Sequence, residues 1–158
     1  MIKVGLGYDI HRLVEGRRLL LGGVELPFEK GEDGHSDGDV LFHAIADAVL
    51  GAAGLGDIGS FFPPEDPKWK DADSACLLKT VIQEVYKAGW KLENIDCVVK
   101  LEKPKFIPYR EQVIKSIAAV LEVGTNQVFV KAKTGEKLPP VGTGDAIEAT
   151  VVCLLSRQ

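Results

Sequence analysis

The chain has 158 residues, a length that fits one domain and buries roughly two thirds of its unfolded surface without disulfides. Its formal net charge is −4 and it carries no basic stripe, which argues against a nucleic-acid partner. Charged residues or glycine interrupt each apolar stretch well before the ~20 residues that a membrane span requires. We therefore expect a soluble cytoplasmic protein with one domain, residues 1–158, and with no nucleic-acid or membrane partner.

The first half of the chain predicts two strand regions followed by a helix. Residues 2–8 are strand-like rather than a cleavable leader, and residues 18–26 contain a Gly-Gly pair typical of a hairpin turn. A polar loop follows, in which Ser36 or Asp37 is a suitable N-cap. Apolar residues at helical spacing then predict a helix over residues 39–53.

The second half begins with a long loop, residues 54–73, which is rich in Gly, Pro and Asp. It is too long for an ordinary connection, so we interpret it as a functional loop. Periodicity and capping signals predict a helix over 74–88, a strand over 95–101, a helix over 108–121, and strands over 128–133 and 147–155. The order β-β-α-α-β-α-β-β predicts an α+β fold, with a mixed sheet covered by helices on one face.

The three cysteines, Cys76, Cys97 and Cys153, are odd in number, widely spaced and without a CxxC pair. Such a set predicts free thiols that serve as small buried hydrophobic residues in a reducing compartment. No disulfide is expected.

All three histidines, His11, His35 and His43, lie in the first 43 residues, and each has a carboxylate nearby in the sequence. Asp9 and His11 are two residues apart, so in an extended segment their side chains leave from the same face. Imidazole and carboxylate together suit Zn²⁺, Mn²⁺ or Co²⁺, and three protein ligands with one open position are typical of catalytic zinc. The crowding predicts one divalent metal site.

His43 falls within the predicted first helix, where Asp39 and Asp47 lie one turn to either side. A metal-bound imidazole usually donates its second N–H to a carboxylate or carbonyl, and the spacing makes Asp47 a candidate for that partner. The alternative is an Asp-His-Asp surface on a solvated helix.

Two further segments suit phosphate. His35 and Ser36 precede a helix start, whose free N–H groups and positive dipole end favour an anion. Alternatively, Ser36 is only a cap and His35 a loop residue. Residues 131–137 combine cations, a hydroxyl and a carboxylate, a mixture that suits binding of a phosphate chain with its Mg²⁺. Alternatively, this segment is only a charged turn.

Taken together, these segments form five motifs in a fixed order that runs nearly from end to end of the chain. They are Gly7-Tyr8-Asp9-Ile10-His11; His35-Ser36-Asp37-Gly38-Asp39 with His43-Ala44 and Asp47-Ala48; Leu55-Gly56-Asp57-Ile58-Gly59; Asp66-Pro67; and Lys131-Ala132-Lys133-Thr134-x-Glu136-Lys137. In this order they closely resemble the 2-C-methyl-D-erythritol 2,4-cyclodiphosphate synthase family.

The resemblance implies a phosphorus-oxygen lyase of the non-mevalonate isoprenoid pathway. Its substrate would be 4-CDP-2-C-methyl-D-erythritol 2-phosphate, converted to the cyclic diphosphate with release of CMP by metal-assisted intramolecular phosphoryl transfer. The resemblance also implies that Asp9, His11 and His43 hold one divalent ion per subunit, usually Zn²⁺. Glu136 would hold a second ion, Mg²⁺ or Mn²⁺, with the substrate diphosphate.

The resemblance also implies a set of substrate-binding residues. Those for phosphate would be Asp9, His11, His35 and Ser36; those for the erythritol hydroxyls Asp57, Ile58 and Gly59; those of a mobile flap Phe62, Pro63, Pro64, Glu65 and Asp66. Those of the cytidine pocket would be Leu101, Pro104, Lys105, Phe106, Ile107, Ala132, Lys133 and Thr134, next to Glu136. His35 and Thr134 would act as the catalytic pair that stabilises the transition state by hydrogen bonds.

For the fold, the resemblance implies the Bacillus chorismate mutase-like class and a homotrimer whose sheets face the three-fold axis. Active sites would then lie between subunits. Many members carry an arginine followed by Gly-Glu where this chain has Thr143-Gly144-Asp145. The resemblance therefore does not carry over an anion site on the trimer axis.

Two other functions fit a metal site of this kind. One is hydrolysis of a phosphate ester by metal-bound water. The other is a zinc-stabilised binding module without turnover, which the donor types disfavour because structural zinc sites usually fill all four positions with Cys or His.

Overall fold

The computed structural model describes residues 1–63 and 65–158. The strands in this part of the chain are β1 (Ile2–Glu15), β2 (Leu19–Leu21), β3 (Val24–Leu26), β4 (Lys30–Asp33), β5 (Lys91–Lys100), β6 (Val128–Lys133) and β7 (Ala146–Ser156). The helices are α1 (Val40–Ala53), α2 (Ile58–Phe61), α3 (Ser74–Lys87) and α4 (Arg110–Leu121), with 3₁₀ turns at Pro67–Trp69, Ile107–Tyr109 and Thr125–Gln127.

Five strands form a mixed sheet in the order β4-β1-β7-β5-β6, and β2 and β3 form a separate hairpin. β7 is antiparallel to both β1 and β5, and β5 is parallel to β6. Strands β1, β5 and β6 therefore run in one direction. The register places Ile10, Glu148, Lys100 and Lys133 at one level across the sheet. As a result, the residues that follow this level on all three strands lie at the same end of the sheet.

The two faces of β1 differ sharply. On the inner face, an added Cβ at Gly5 would stand 1.9 Å from the carbonyl oxygen of Ala48, and one at Gly7 would stand 1.8 Å from that of Ala44. Only glycine lets α1 approach the strand this closely. The outer face carries Ile2, Val4, Leu6, Tyr8 and Ile10, which are 69, 66, 67, 51 and 41% exposed in the isolated chain.

Helix α1 lies between the sheet and α3, which explains why apolar residues occupy most of its circumference. Helix α3 also contacts α4, and α4 packs on β6. The helices therefore cover one face of the sheet, as predicted. This packing holds His43 of α1 beside the inner face of β1.

Most predicted elements are confirmed, with differences at the ends. β1 continues beyond residue 8 to Glu15, and the 18–26 region is a hairpin turning at Gly22 and Gly23, whose φ angles are +58° and +78°. The prediction missed β4, a short polar strand that pairs with the end of β1. It also missed α2 and the turn at Pro67–Trp69 within the long loop.

Cys97 and Cys153 are buried free thiols, as predicted. Cys76 is exposed on α3, so its prediction as a buried residue was wrong. The apolar spacing of α3 places Leu77 and Leu78 in the core and turns Cys76 outward.

The prediction of Ser36 or Asp37 as the N-cap of α1 was wrong, because Asp39 caps the helix. Its carboxylate accepts hydrogen bonds from the N–H groups of Phe42, Gly22 and Gly23. Glu32 of β4, also fully buried, accepts from Val40 N–H through Oε1. Two buried carboxylates thus take up N–H groups at the start of the helix, which leaves less of this N-terminus for the predicted phosphate.

The second of these acids, Glu32, favours its protonated form. Burial raises the pKa of Glu32 well above its ordinary value, and the nearby charge of Asp39 adds to the effect despite the hydrogen bond from Val40. Among the described residues, Glu32 Oε2 is buried without a hydrogen-bond partner. The folded chain therefore retains a proton that unfolded Glu32 loses above its ordinary pKa, so stability falls as the pH rises through that window.

We expect Glu32→Gln to remove this decline, because glutamine keeps the Oε1 acceptor and cannot ionise. The melting temperature of the variant, relative to that of the native chain, should rise by about 3 °C or more between pH 5 and pH 8. Exposed Glu29→Gln is the matched control. A constant difference between the Glu32→Gln and native melting curves over this range would contradict a buried, protonated Glu32.

Candidate metal centre

Asp9, His11 and His43 converge at the inner face of β1. Asp9 Oδ2 lies 3.0 Å from His11 Nε2 and 3.2 Å from His43 Nδ1. The three donor atoms all lie within 4.8 Å of one another. The extended backbone of β1 supplies the first two side chains on one face, as the two-residue spacing predicted, and α1 supplies the third.

Hydrogen bonds to the ring nitrogens on the far side orient both imidazoles. His11 Nδ1 lies 2.6 Å from the carbonyl oxygen of Gly38. A carbonyl only accepts, so His11 Nδ1 carries a proton, and Nε2 is the nitrogen left to bind an ion beside Asp9. His43 Nε2 lies 3.0 Å from the hydroxyl oxygens of both Ser36 and Ser74.

The charges in the centre support one another. Burial raises the pKa of the Asp9 carboxyl, but hydrogen bonds from His11 and His43 outweigh burial, so its pKa lies well below the ordinary value. Burial likewise lowers the pKa of His11, but the hydrogen bond and charge of Asp9 outweigh it and raise the pKa. The centre therefore stabilises a positive charge next to an ionised carboxylate.

The donor set fits a divalent ion. Ligands of tetrahedral zinc at 2.0–2.1 Å stand about 3.3 Å apart, close to the 3.0 and 3.2 Å from the carboxylate to the two imidazoles. Within the described residues, only three such donors cluster here. Three donors leave a position for an exogenous ligand, as in catalytic rather than structural zinc sites.

The centre opens into a cavity of about 390 Å³. Both polar and apolar residues line it; they are Asp9, His11, Gly34, His35, Ser36, His43, Ile58, Gly59, Phe62, Trp69 and Leu77. The rings of Phe62 and Trp69 stack edge to face at 4.7 Å. Such a cavity suits a small molecule with a charged end and an apolar branch.

Asp47 does not occupy its predicted place. Its carboxylate accepts a hydrogen bond from the backbone N–H of Ile58 at 2.8 Å, and the hydrogen bonds found for the His43 ring go to Asp9, Ser36 and Ser74. The prediction of Asp47 as the orienting partner of His43 was wrong. Helical spacing placed it correctly on the same side of α1, but Asp47 instead anchors the start of α2.

Three of the loop residues expected to bind the hydroxyls and form the flap line the cavity. Asp57 caps α2 and accepts from Ser60, while Ile58 and Gly59 line the cavity. Phe62 lines it too, and Asp66 caps the turn at Pro67–Trp69. Pro63 and Glu65 are exposed, and Pro64 lies outside the described residues.

The other expected substrate-binding residues form a second group at the ends of the parallel strands β5 and β6. Leu101 N–H donates to Lys133 O, and Gly135 N–H donates to Glu102, so the two loops lie together. Thr134 donates its hydroxyl to the exposed carboxylate of Glu136 at 2.9 Å. This second group contains Leu101, Pro104, Lys105, Phe106, Ile107, Ala132, Lys133, Thr134 and Glu136, and none of these lines the cavity at the metal centre.

Both groups lie at the same end of the sheet but on different strands. Asp9 and His11 flank Ile10, which shares its level with Lys100 and Lys133. Strand β7 lies between β1 and β5, and β6 lies beyond β5, so two to three strand spacings, about 10–14 Å, separate the groups. One chain therefore carries two separated halves of the expected site.

Sequence reasoning missed several residues of the metal centre. Ser74 was interpreted only as part of a helix start, yet its hydroxyl contacts His43 and Asp37. Trp69 and Leu77 were not expected in the cavity wall. The sequence contained no local signal for these contacts, because each joins segments about thirty or more residues apart.

The fold and this centre define an α+β protein with a carboxylate-histidine triad that fits a divalent ion, beside a cavity of small-molecule size. The chain belongs to the YgbB family, whose model matches residues 2–156. It is 57% identical over 154 residues to 2-C-methyl-D-erythritol 2,4-cyclodiphosphate synthase of Treponema denticola, covering 98% of this chain and 96% of that protein. The resemblance found in the motifs is thereby confirmed.

Solved structures agree with this assignment. A 2C-methyl-D-erythritol-2,4-cyclodiphosphate synthase in a CDP-bound form superposes with a TM-score of 0.90 at 38% identity, covering 98% of this chain and 100% of that one. The bifunctional IspDF of Campylobacter jejuni gives a TM-score of 0.96 at 40% identity. That match covers all of this chain and 43% of the bifunctional one. No helix in the described residues is long and apolar enough to cross a membrane.

Proposed function

We propose that this chain converts 4-CDP-2-C-methyl-D-erythritol 2-phosphate into 2-C-methyl-D-erythritol 2,4-cyclodiphosphate with release of CMP. This phosphorus-oxygen lyase reaction belongs to the non-mevalonate isoprenoid pathway. The observation that carries the proposal is the convergence of Asp9, His11 and His43 on one open site in a member of the YgbB family. Further support comes from the cavity beside that site, whose size suits a small molecule.

We assign Asp9, His11 and His43 as ligands of a divalent ion, with zinc favoured by the nitrogen and oxygen donors. Glu136, exposed beside Thr134, is assigned to a second ion, Mg²⁺ or Mn²⁺, bound with the substrate diphosphate. When bound, the two ions would supply positive charge that lowers the repulsion between the substrate phosphates and polarises the β-phosphate.

The chain's own residues then orient the substrate. The 2-phosphate oxygen attacks the β-phosphorus, a new P–O–P bond forms, and the electron pair of the broken bond leaves with CMP. His35, exposed at the cavity, and the hydroxyl of Thr134 donate hydrogen bonds where charge develops. Holding both reacting ends in one molecule supplies several kcal/mol of pre-arranged orientation, by order of magnitude.

The remaining residues bind the ends of the substrate. Ser36 touches phosphate, and the start of α2 at Asp57, Ile58 and Gly59 takes the erythritol hydroxyls. The segment from Phe62 to Asp66 closes over the site and keeps water from competing as nucleophile. The β5 and β6 loops hold cytidine.

We propose further that the protein is a homotrimer of the chorismate mutase-like class, with each chain forming one catalytic domain. The outer face of β1 supports this assembly, because its apolar side chains are exposed in the single chain. The separation of the two halves of the site supports it as well, since a neighbour's β5 and β6 loops would complete each metal centre. We place the enzyme in the cytoplasm, without nucleic-acid or membrane partners.

The reaction products test the function. Purified protein with Zn²⁺, Mg²⁺ and the proposed substrate should yield CMP and the cyclic diphosphate by ³¹P NMR. In H₂¹⁸O neither product should carry label, because no water is consumed. Release of inorganic phosphate, or label in a product, would indicate the hydrolytic alternative and overturn the proposal.

A further inference from the structure

We infer that Ser74 and Asp37 are positioning residues for His43, because their hydrogen-bond chain selects the imidazole tautomer that presents Nδ1 to the metal. The inference rests on the metal site of the proposed function. His43 uses its two nitrogens in opposite directions: Nδ1 lies 3.2 Å from Asp9 Oδ2, and Nε2 lies 3.0 Å from Ser74 Oγ.

The donor in each of these hydrogen bonds can be assigned by starting from Asp37, the last acceptor in the chain. Asp37 as a carboxylate can only accept, so the Ser74 hydroxyl donates its single proton to Asp37 Oδ1. Ser74 Oγ then has only lone pairs left for the imidazole. His43 must therefore donate from Nε2, and in the neutral ring Nδ1 then carries the lone pair that a metal needs.

A second hydroxyl near the ring does not set the tautomer in this way. Ser36 Oγ lies 3.0 Å from His43 Nε2 and accepts from Gly38 N–H at 3.3 Å. It also lies 3.3 Å from Ser74 Oγ. Among the described residues, no carboxylate accepts the proton of Ser36, so this hydroxyl can either donate or accept at His43. Only Ser74 has its proton committed elsewhere.

The carboxylate of Asp37 is itself held in place. Its Oδ2 accepts from Ser74 N–H at 3.0 Å, and its Oδ1 accepts from Asp39 N–H at 3.1 Å. Asp37 N–H donates to Ala72 O at 3.1 Å, which ties the loop before α1 to the start of α3. Ser74 is 1% exposed, so water does not compete for its hydroxyl.

Zinc affinity of the full-length protein tests the inference without measuring turnover. Ser74→Ala should weaken zinc binding about tenfold, measured by competition with a chromophoric chelator. This is the low end of the roughly 10–100-fold range for loss of a partner of a ligating histidine, because the Ser36 hydroxyl remains beside the ring. The variant keeps the Ser74 backbone N–H, and Asp73 still caps α3. Ser156→Ala, which removes another serine that donates to a carboxylate, Glu93, should leave zinc affinity unchanged.

The tautomer supplies a second readout. In metal-free Asp9→Ala, which removes the carboxylate that competes for a proton on His43 Nδ1, ¹⁵N NMR of the imidazoles at pH 8 should show His43 protonated at Nε2. In this background Ser74→Ala and, independently, Asp37→Asn should shift His43 toward a mixture of tautomers, which a merely structural serine would not do. If the variant with Ser74→Ala does not fold, the variant with Asp37→Asn and the Asp9→Ala spectrum still decide.

Two results would overturn the inference alone. They are tight zinc binding by the native chain with unchanged affinity in Ser74→Ala, and a His43 protonated at Nδ1 in metal-free Asp9→Ala. Failure of the native chain to bind zinc at all would instead remove the metal site of the proposed function, and this inference with it.

Discussion

His43→Ala should lose the first metal ion and lower the rate of CMP release by at least about 1000-fold, since Lewis-acid stabilisation is worth several kcal/mol. The substitution removes one of only three clustered donors found in the described residues and leaves Asp9 and His11. Zinc content of the purified protein and steady-state CMP release measure the two effects. The melting temperature in chelator should match that of the metal-free native chain, because the core does not need the ion.

Asp47→Asn is the comparison variant on the same helix, one turn from His43. Because its carboxylate holds Ile58 N–H rather than the imidazole, zinc affinity should change by less than about tenfold, below the range for a direct partner of a ligating histidine. Full activity in His43→Ala would refute the ligand assignment. Complete unfolding of the native chain on metal removal would favour a structural zinc module instead.

The metal centre was predictable from sequence as far as local geometry reaches. Two residues at strand spacing must share a face, so Asp9 and His11 could be paired without a structure. Their approach to His43 depends on Gly5 and Gly7, whose missing side chains let α1 sit directly on β1. Glycines within a strand pattern signal such close approach, but they do not say which helix approaches.

Tertiary pairing explains the elements that the sequence did not predict. Strand β4 reads Lys-Gly-Glu-Asp, a composition poor in strand-forming residues. It is a strand because its backbone pairs with residues 12–15 of β1 and because Glu32 turns inward to α1. Pairing and burial overrode the local preference there.

Helical spacing misled the choice of partner for His43. Asp47 lies one turn away on α1, but the side chain that contacts Nε2 belongs to Ser74, 31 residues along the chain. A helix-start signal gave Ser74 a sufficient local explanation, which concealed its second contact. Contacts of this kind follow from the packing of α3 on α1 and not from any motif.

The second large effect, in Leu6→Lys, follows from the proposed homotrimer. Leu6 is 67% exposed on the outer face of β1, next to Val152 of β7, and points away from the metal centre. A lysine there should give monomers by light scattering and at least a 100-fold loss of CMP release, by order of magnitude, because a buried unpaired charge costs several kcal/mol. Zinc affinity should be retained. Exposed Gln83→Lys on α3 is the charge-matched control and should remain trimeric and active.

Mixing two inactive variants distinguishes an active site shared between two subunits from one that lies within a single chain. His43→Ala damages the metal half, whereas Glu136→Gln damages the half on the β5 and β6 loops. If the halves meet across a heterologous boundary, equal mixing should restore about one quarter of native activity, since both intact halves meet at one boundary in four. If each chain carries a whole site, mixing restores nothing. A monomeric Leu6→Lys with full activity would contradict the shared site in the same way.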